Sequence, residues 1–209
     1  MRATLLSVCV GMPRVVEDAE GIWETGFWKE PVEGPLWLGE LGLPGDGHVS
    51  SVHGGPDKAL LAYPAGHYPR WRAELDLPEM GYGGFGENMV WSAGDETSVC
   101  IGDIFQVGLA RVQVSEARIP CWKISRRWGI DELLKRVLET GRFGWHLRVL
   151  DEGAVQAGDR VSLLERPYPT WTVARALQTY QSRGAQPEAA RELATVEPLS
   201  AVWKQKLAG

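Results

Sequence analysis

Cysteine is scarce in this chain: three among 209 residues, at Cys9, Cys100 and Cys121. Their number is odd and none stands in a CxxC spacing, which excludes a disulfide framework and a zinc knuckle. Each thiol has to be judged singly. Long apolar runs are missing too, and none approaches the roughly 20 residues that a membrane helix needs. The opening MRATLLSVCVGMPR has neither a long enough apolar region nor a small-residue cleavage site, so a cytoplasmic address without a membrane partner is expected. There is no internal repeat and no low-complexity tract. With 44% hydrophobic and 23% charged residues, the chain has material for one domain with a core and a smaller appendage.

Basic charge is thin over most of the length. Residues 1 to 110 carry 6 Lys or Arg against 16 Asp or Glu, and residues 149 to 209 carry 7 of each. Residues 111 to 148 reverse the balance, with 9 basic against 4 acidic. An acidic whole argues against a nucleic-acid or anionic-membrane surface, which needs an extended basic face. One short basic segment instead suits a small anionic ligand such as a phosphate. The alternative is that these arginines solvate a helix face.

What is present in the first 115 residues is a series of short β-type runs: ATLLSVCVG, GPLWLGELGL, KALLAYP, TSVCIGDIFQVG and ARVQVSEA. The 25 glycines that punctuate the chain fit a barrel or tight sandwich with sharp corners. Helices are predicted over AGHYPRWRAEL, with Tyr68, Trp71, Arg72 and Leu75 at helical spacing, and over IDELLKRVLET, which starts at Asp131 and stops at Gly141. WHLRVLDEGAVQAGDRVSLLER reads as two strands joined by a turn. Beyond Pro167 the pieces TVARALQTYQSRG, PEAARELATV and SAVWKQKLAG, separated by Gly184, Pro187 and Pro198, read as a small helical tail. The expected organisation is a mainly β domain over residues 1–167 and a helical tail over 168–209.

Four segments could carry chemistry. In SEARIPCWKISRRWG, Cys121 follows a proline and has Arg118, Lys123, Arg126 and Arg127 nearby. Such cations favour thiolate, the form that attacks or binds a soft metal. A buried structural thiol is the competing reading, and Cys9 and Cys100, in plain strand contexts, fit it well. In SVHGGPDKALLAYP, His53 precedes two glycines that free the backbone to approach a ligand, and Lys58 could reach an anion from the same loop; a turn with a surface histidine is the alternative. GYGGFGENMV crowds glycines against Glu87 and Asn88, and an Asx-type turn explains Asn88 equally well. TGRFGWHLRVL offers Arg142 on a loop and Arg148 on a strand, where a structural ion pair is the alternative.

The ordered set GLPGDGHVSSVHGGPDKALLAYPAGHY, FGEN, CIGD, ARIPCWKI and GRFGWHLRVL resembles the MOSC family, and within it the YiiM-like proteins. The likeness runs from about Thr25 to Pro167, and the trailing helices are similar to the three-helix tail of that subgroup. The resemblance implies a MOSC-type β-barrel with a few peripheral helices, binding a molybdenum cofactor (molybdopterin) with Cys121 as the thiolate ligand to the metal. It makes Arg118, Arg142, Arg148 and Lys29 candidates for the phosphate and pterin side, and places His53, Lys58, Glu87 and Asn88 in the pocket, with His53 beside Cys121 in a catalytic role. It implies reduction of small N-hydroxylated bases. With no ferredoxin-type cysteine cluster and no GxGxxG at a strand-to-helix junction, the electron donor would be a separate protein; an oligomer is compatible with the family.

The chain departs from the family pattern at His48, where relatives tend to carry glutamine, at Ser51, where they carry aspartate, and at His146, where they favour tyrosine. Two other functions stay open. One is a carrier in which Cys121 holds the cofactor or a persulfide for delivery, since MOSC domains also occur fused to the enzyme that sulfurates the cofactor. The other is a cysteine nucleophile with His53 or His146 as base.

Overall fold

A computed structural model describes residues 1–50 and 53–208. Alternating apolar residues in RATLLSVCV form β1 (Arg2–Val10), with Ala3, Leu5 and Val8 turned inward. Its start pairs antiparallel with β12 (Arg160–Glu165), its middle with β7 (Met89–Trp91), and its end with the short β4 (Glu30–Pro31). From β7 the order continues through β6 (Leu60–Pro64), β10 (Trp145–Asp151), β9 (Ala110–Ala117) and β8 (Ile104–Val107) back to β12. Seven strands thus close into the expected barrel. The neighbours β6 and β7 run parallel, which requires a crossover; α1 (His67–Leu75) and the glycine-rich loop after it supply one. Trp91 fills the interior, edge-on to Phe105 at 4.9 Å and to Trp145 at 5.4 Å.

Two satellites flank the barrel: the hairpin of β2 (Arg14–Asp18) and β3 (Gly21–Thr25), and the pair of β5 (Leu36–Leu38) with β11 (Gly153–Val155). The stretch after Gly144 therefore holds three strands, not two. β11 pairs with β5 instead of joining the barrel, and Glu152, between β10 and β11, accepts the Glu40 N–H at 2.8 Å just beyond β5. Cys100 lies in no strand; it bridges antiparallel to Thr172 and opens a turn in which its backbone N–H donates to the buried Asp103 carboxylate at 2.9 Å. Asp103 is held in turn by a fork from Arg166 at 2.6 and 2.8 Å. α2 (Lys123–Trp128) precedes α3 (Leu133–Thr140), which stops at Gly141 as its sequence predicts but begins two residues after Asp131.

The tail forms three helices, α4 (Val173–Gln181), α5 (Pro187–Ala194) and α6 (Ala201–Leu207). Thr172 and Ser200 cap α4 and α6, each accepting a backbone N–H three residues on. Tyr180 stacks on Trp203 at 4.3 Å to join α4 to α6. None of the described helices is long and apolar enough to cross a membrane.

Candidate functional site

In the β9–β10 register His146 lies opposite Glu116, and in the β6–β10 register opposite Leu61. Directly opposed side chains share a face, so these three wall one space. Arg118, two residues beyond Glu116, joins them. The turn Pro56–Lys58 adds Lys58, while Thr25 to Lys29 and the Leu41–Val49 segment close the far side. The result is a cavity of about 420 Å³, with Met12, Leu41, Val49 and Ile119 as an exposed apolar rim. That volume suits a small molecule.

Four cationic side chains, Lys29, Lys58, Arg118 and Lys123, face this cavity with two carboxylates, Asp46 and Glu116. Lys29 pairs with Asp46, which also accepts from the Gly11 backbone at 3.0 Å and from Asn88 Nδ2 at 2.8 Å. Lys58 Nζ sits 3.3 Å from Glu116 Oε1. Lys123 donates to the Glu24 carbonyl at 2.8 Å and lies over the Trp23 and Trp122 rings. Arg118 is 6% exposed, and its Nη1 has no hydrogen-bond partner among the described residues. Burial pushes its pKa down, with the nearby Cys121 partly offsetting this. A buried donor left unpaired costs about 1–3 kcal/mol, which an acceptor on a ligand would offset.

Two histidines sense the same field. Burial lowers the pKa of His53, and Lys123, Lys58, His48 and Arg118 lower it further. His146, deeper in, is pushed to about 3, first by burial and then by Lys58 and Arg118; its Nδ1 has no partner among the described residues. His48 packs on Gly54 so closely that a Cβ at Gly54 would fall 2.1 Å from its ring. The first glycine of HGG thus makes room for a side chain rather than for a ligand. Ser51 lies outside the described residues.

Cys121 is half-buried on the cavity wall, just ahead of α2, and its carbonyl accepts the Ile124 N–H at 3.2 Å. The other thiols are enclosed. Cys9 lies 3.3 Å from Ser7 Oγ, and burial pushes it up to about 12; Cys100 is also raised by burial and faces the Pro169 carbonyl. Among the described residues, no three His, Cys, Asp or Glu side chains converge as a metal site.

The cavity brings together Cys121, His53, Lys29, Lys58, Arg118 and Asn88 from the sequence-derived set, and leaves out three. Glu87 is fully buried, accepting the Gly83 and Phe85 N–H groups at 2.7 and 3.0 Å and the Tyr68 hydroxyl. Its pKa is raised by burial, and it braces the glycine loop. In that loop Gly83 (φ +83°) passes so near Lys29 that a Cβ would fall 2.1 Å from the Lys29 carbonyl oxygen. Arg142 forks onto Glu74 at 2.8 and 3.0 Å and lies over Trp71. Arg148 is held by Asp57 at 2.6 Å and Gln113 at 3.2 Å. Asp46 and Glu116 went unnoticed in the sequence; the sole signal was an acid beside each motif, in GDGH and in SEARIPC.

Comparison with known proteins places these features. Residues 49–162 match the MOSC domain, and residues 171–208 match the YiiM-like, 3-alpha helix domain. A protein named Reductase from Gibberella moniliformis (strain M3125 / FGSC 7600) is 42% identical over 164 residues, 76% of this chain but 29% of that protein. Protein YiiM of Escherichia coli (strain K12) is 40% identical over 143 residues, 66% of this chain and 63% of that one. The chain thus spans less than two thirds of the length of either relative. The crystal structure of YiiM from Geobacillus stearothermophilus superposes with a TM-score of 0.84 at 32% identity, over 99% of this chain and 97% of that one.

Proposed function

Because the chain belongs to the MOSC domain family, in its YiiM-like branch, we propose that it reduces N-hydroxylated bases and related compounds, using a molybdenum cofactor held through Cys121. The observation that carries this reading is the coincidence of a cavity-facing thiol with positive charge that the protein leaves partly uncompensated. Four cations face two carboxylates, and the buried Arg118 Nη1 lacks a partner among the described residues. A polyanionic ligand with a soft metal fits that donor set.

In this reading the Cys121 thiolate is the metal ligand, and Arg118 with Lys58 holds the phosphate and pterin side. Lys29, paired with Asp46 and more deeply buried than Lys58, contributes less. Arg142 and Arg148 have no part in it, since their charge is taken by Glu74 and Asp57. The cofactor would supply a centre that exchanges electrons in pairs. Cleaving an N–O bond needs that: the hydroxylamine takes up two electrons and two protons, giving an amine and water. His53, exposed at the mouth, and His48 beside it would pass those protons from solvent, and the apolar rim would receive the flat face of a base. The electrons would come from a separate protein.

The test is elemental analysis after expression in a host that makes the cofactor. About one molybdenum per wild-type chain is expected, and little in Cys121→Ser; full metal in the serine variant would defeat the ligand assignment. A carrier would bind molybdenum equally well, yet would not consume electrons from a reduced donor when offered an N-hydroxylated base.

A further inference from the structure

The helical tail reaches the cavity wall at one point. The Ser200 N–H donates to the Ser115 carbonyl at 3.0 Å, and the Ala201 N–H donates to Asp57 Oδ2 at 3.0 Å. Ser115 Oγ donates to the Asp57 carbonyl at 2.5 Å. These bonds clamp the start of α6 onto β9 and onto the turn that carries Lys58. Ser200 does more than cap its helix. Its hydroxyl, which accepts the Trp203 N–H at 3.2 Å, also donates to Glu116 Oε2. The other oxygen of Glu116 faces Lys58 Nζ at 3.3 Å. Ser200 is fully buried and Glu116 is 2% exposed, whereas Lys58 opens onto the cavity.

We infer that Ser200 is a positioning residue for the ligand cavity: acting through the buried carboxylate of Glu116, it fixes Lys58 against the wall, so that the tail sets how firmly the cavity grips an anion. Three features support this. First, a carboxylate with one oxygen bound to a hydroxyl and the other beside an ammonium has a single orientation, and without the hydroxyl it can turn. Second, burial raises the pKa of Glu116, and the hydrogen bond from Ser200 joins Lys58 in opposing that rise; Asp57 adds to it. The hydroxyl therefore helps to keep Glu116 ionised, the form that holds Lys58. Third, an unrestrained lysine gives up up to about 2 kcal/mol of rotamer entropy when it binds, and a fixed one has already done so.

The consequence for affinity rests on the reading of the cavity as an anion site, but the positioning itself does not, and two measurements on the full chain separate them. The first is brief acetylation with acetic anhydride, read lysine by lysine by mass spectrometry. Ser200→Ala should raise labelling of Lys58 several-fold and leave Lys29, held by Asp46, unchanged. Ser200→Thr, which keeps the hydroxyl, should label as wild type, and Glu116→Gln should reproduce the rise. Unchanged Lys58 labelling in Ser200→Ala, or an equal rise at Lys29, would overturn the inference.

The second measurement is titration with pyrophosphate. Affinity should fall about 5-fold in Ser200→Ala, in line with about 1 kcal/mol of lost preorganisation. The same change made in a Lys58→Met background should have no effect. A fall of equal size there would show that Ser200 acts by general destabilisation. Failure of the wild type to bind pyrophosphate, alongside the expected labelling pattern, would count against the anion reading and leave the positioning role standing.

Discussion

Replacing Asp46 by alanine isolates the interaction that ties the cavity's far side together. Asp46 joins three segments, since it accepts from the Gly11 backbone, from Asn88 and from Lys29. Lys29 is 8% exposed, so the substitution leaves a buried ammonium without its counter-charge. Breaking a fully buried pair costs about 3–5 kcal/mol. Asp46 is 16% exposed and water can reach the site, which brings the expected loss to about 2–3 kcal/mol. For a chain of this size that corresponds to a fall in Tm of roughly 5–10 °C. Thermal unfolding followed by circular dichroism measures it. The double variant Lys29→Met with Asp46→Ala removes the stranded charge as well, and should recover about 1–2 kcal/mol relative to Asp46→Ala alone. Additive losses, or a loss in Asp46→Ala below about 0.5 kcal/mol, would refute the claim that the ion pair is what matters here.

Two more predictions follow from charge. Because the pKa of His146 is depressed to about 3 in the folded protein, the unfolded chain binds a proton that the folded one refuses. The stability it contributes is complete above about pH 6.5 and drains as pH falls toward 3, by up to about 1.4 kcal/mol per pH unit; His146→Asn should show a shallower loss of Tm between pH 7.5 and 5.5. Arg142→Lys gives up a bidentate bond to the partly exposed Glu74 and the stack on Trp71, and should cost about 1 kcal/mol. Pyrophosphate affinity and molybdenum content should not change in that variant.

Much of the barrel was legible in the sequence because its strands alternate locally: β1, β6 and β9 fall where the apolar pattern puts them. The hairpin of β2 and β3 was not legible: Val15, Val16, Ile22 and Trp23 flank a short turn, but acidic residues on both strands mask the pattern. Cys100 misled for the opposite reason. Its neighbours look like a strand, and its actual turn depends on Asp103 and on Arg166, which lies 63 residues beyond Asp103. The same limit governs the arginines. Glu74 lies 68 residues from Arg142, and Asp57 lies 91 from Arg148, so composition marks these residues as spare charge while the fold has already spent it. Cys121 and Arg118 are different: the fold places both on the cavity wall, and they stand three residues apart in sequence.

The seam of the barrel bears on how the chain folds. Arg2, Ala3 and Thr4 pair with Ser162, Val161 and Arg160, so the barrel's first strand along the chain is completed by its last. Contacts of such long range form slowly, because the loop entropy is lost before the pairing is gained. During synthesis β1 has to wait with an open edge while some 150 residues follow, an interval in which chaperone binding or pairing with another chain competes. Circular permutation that joins the two ends of the seam by a short linker should fold faster than the natural order.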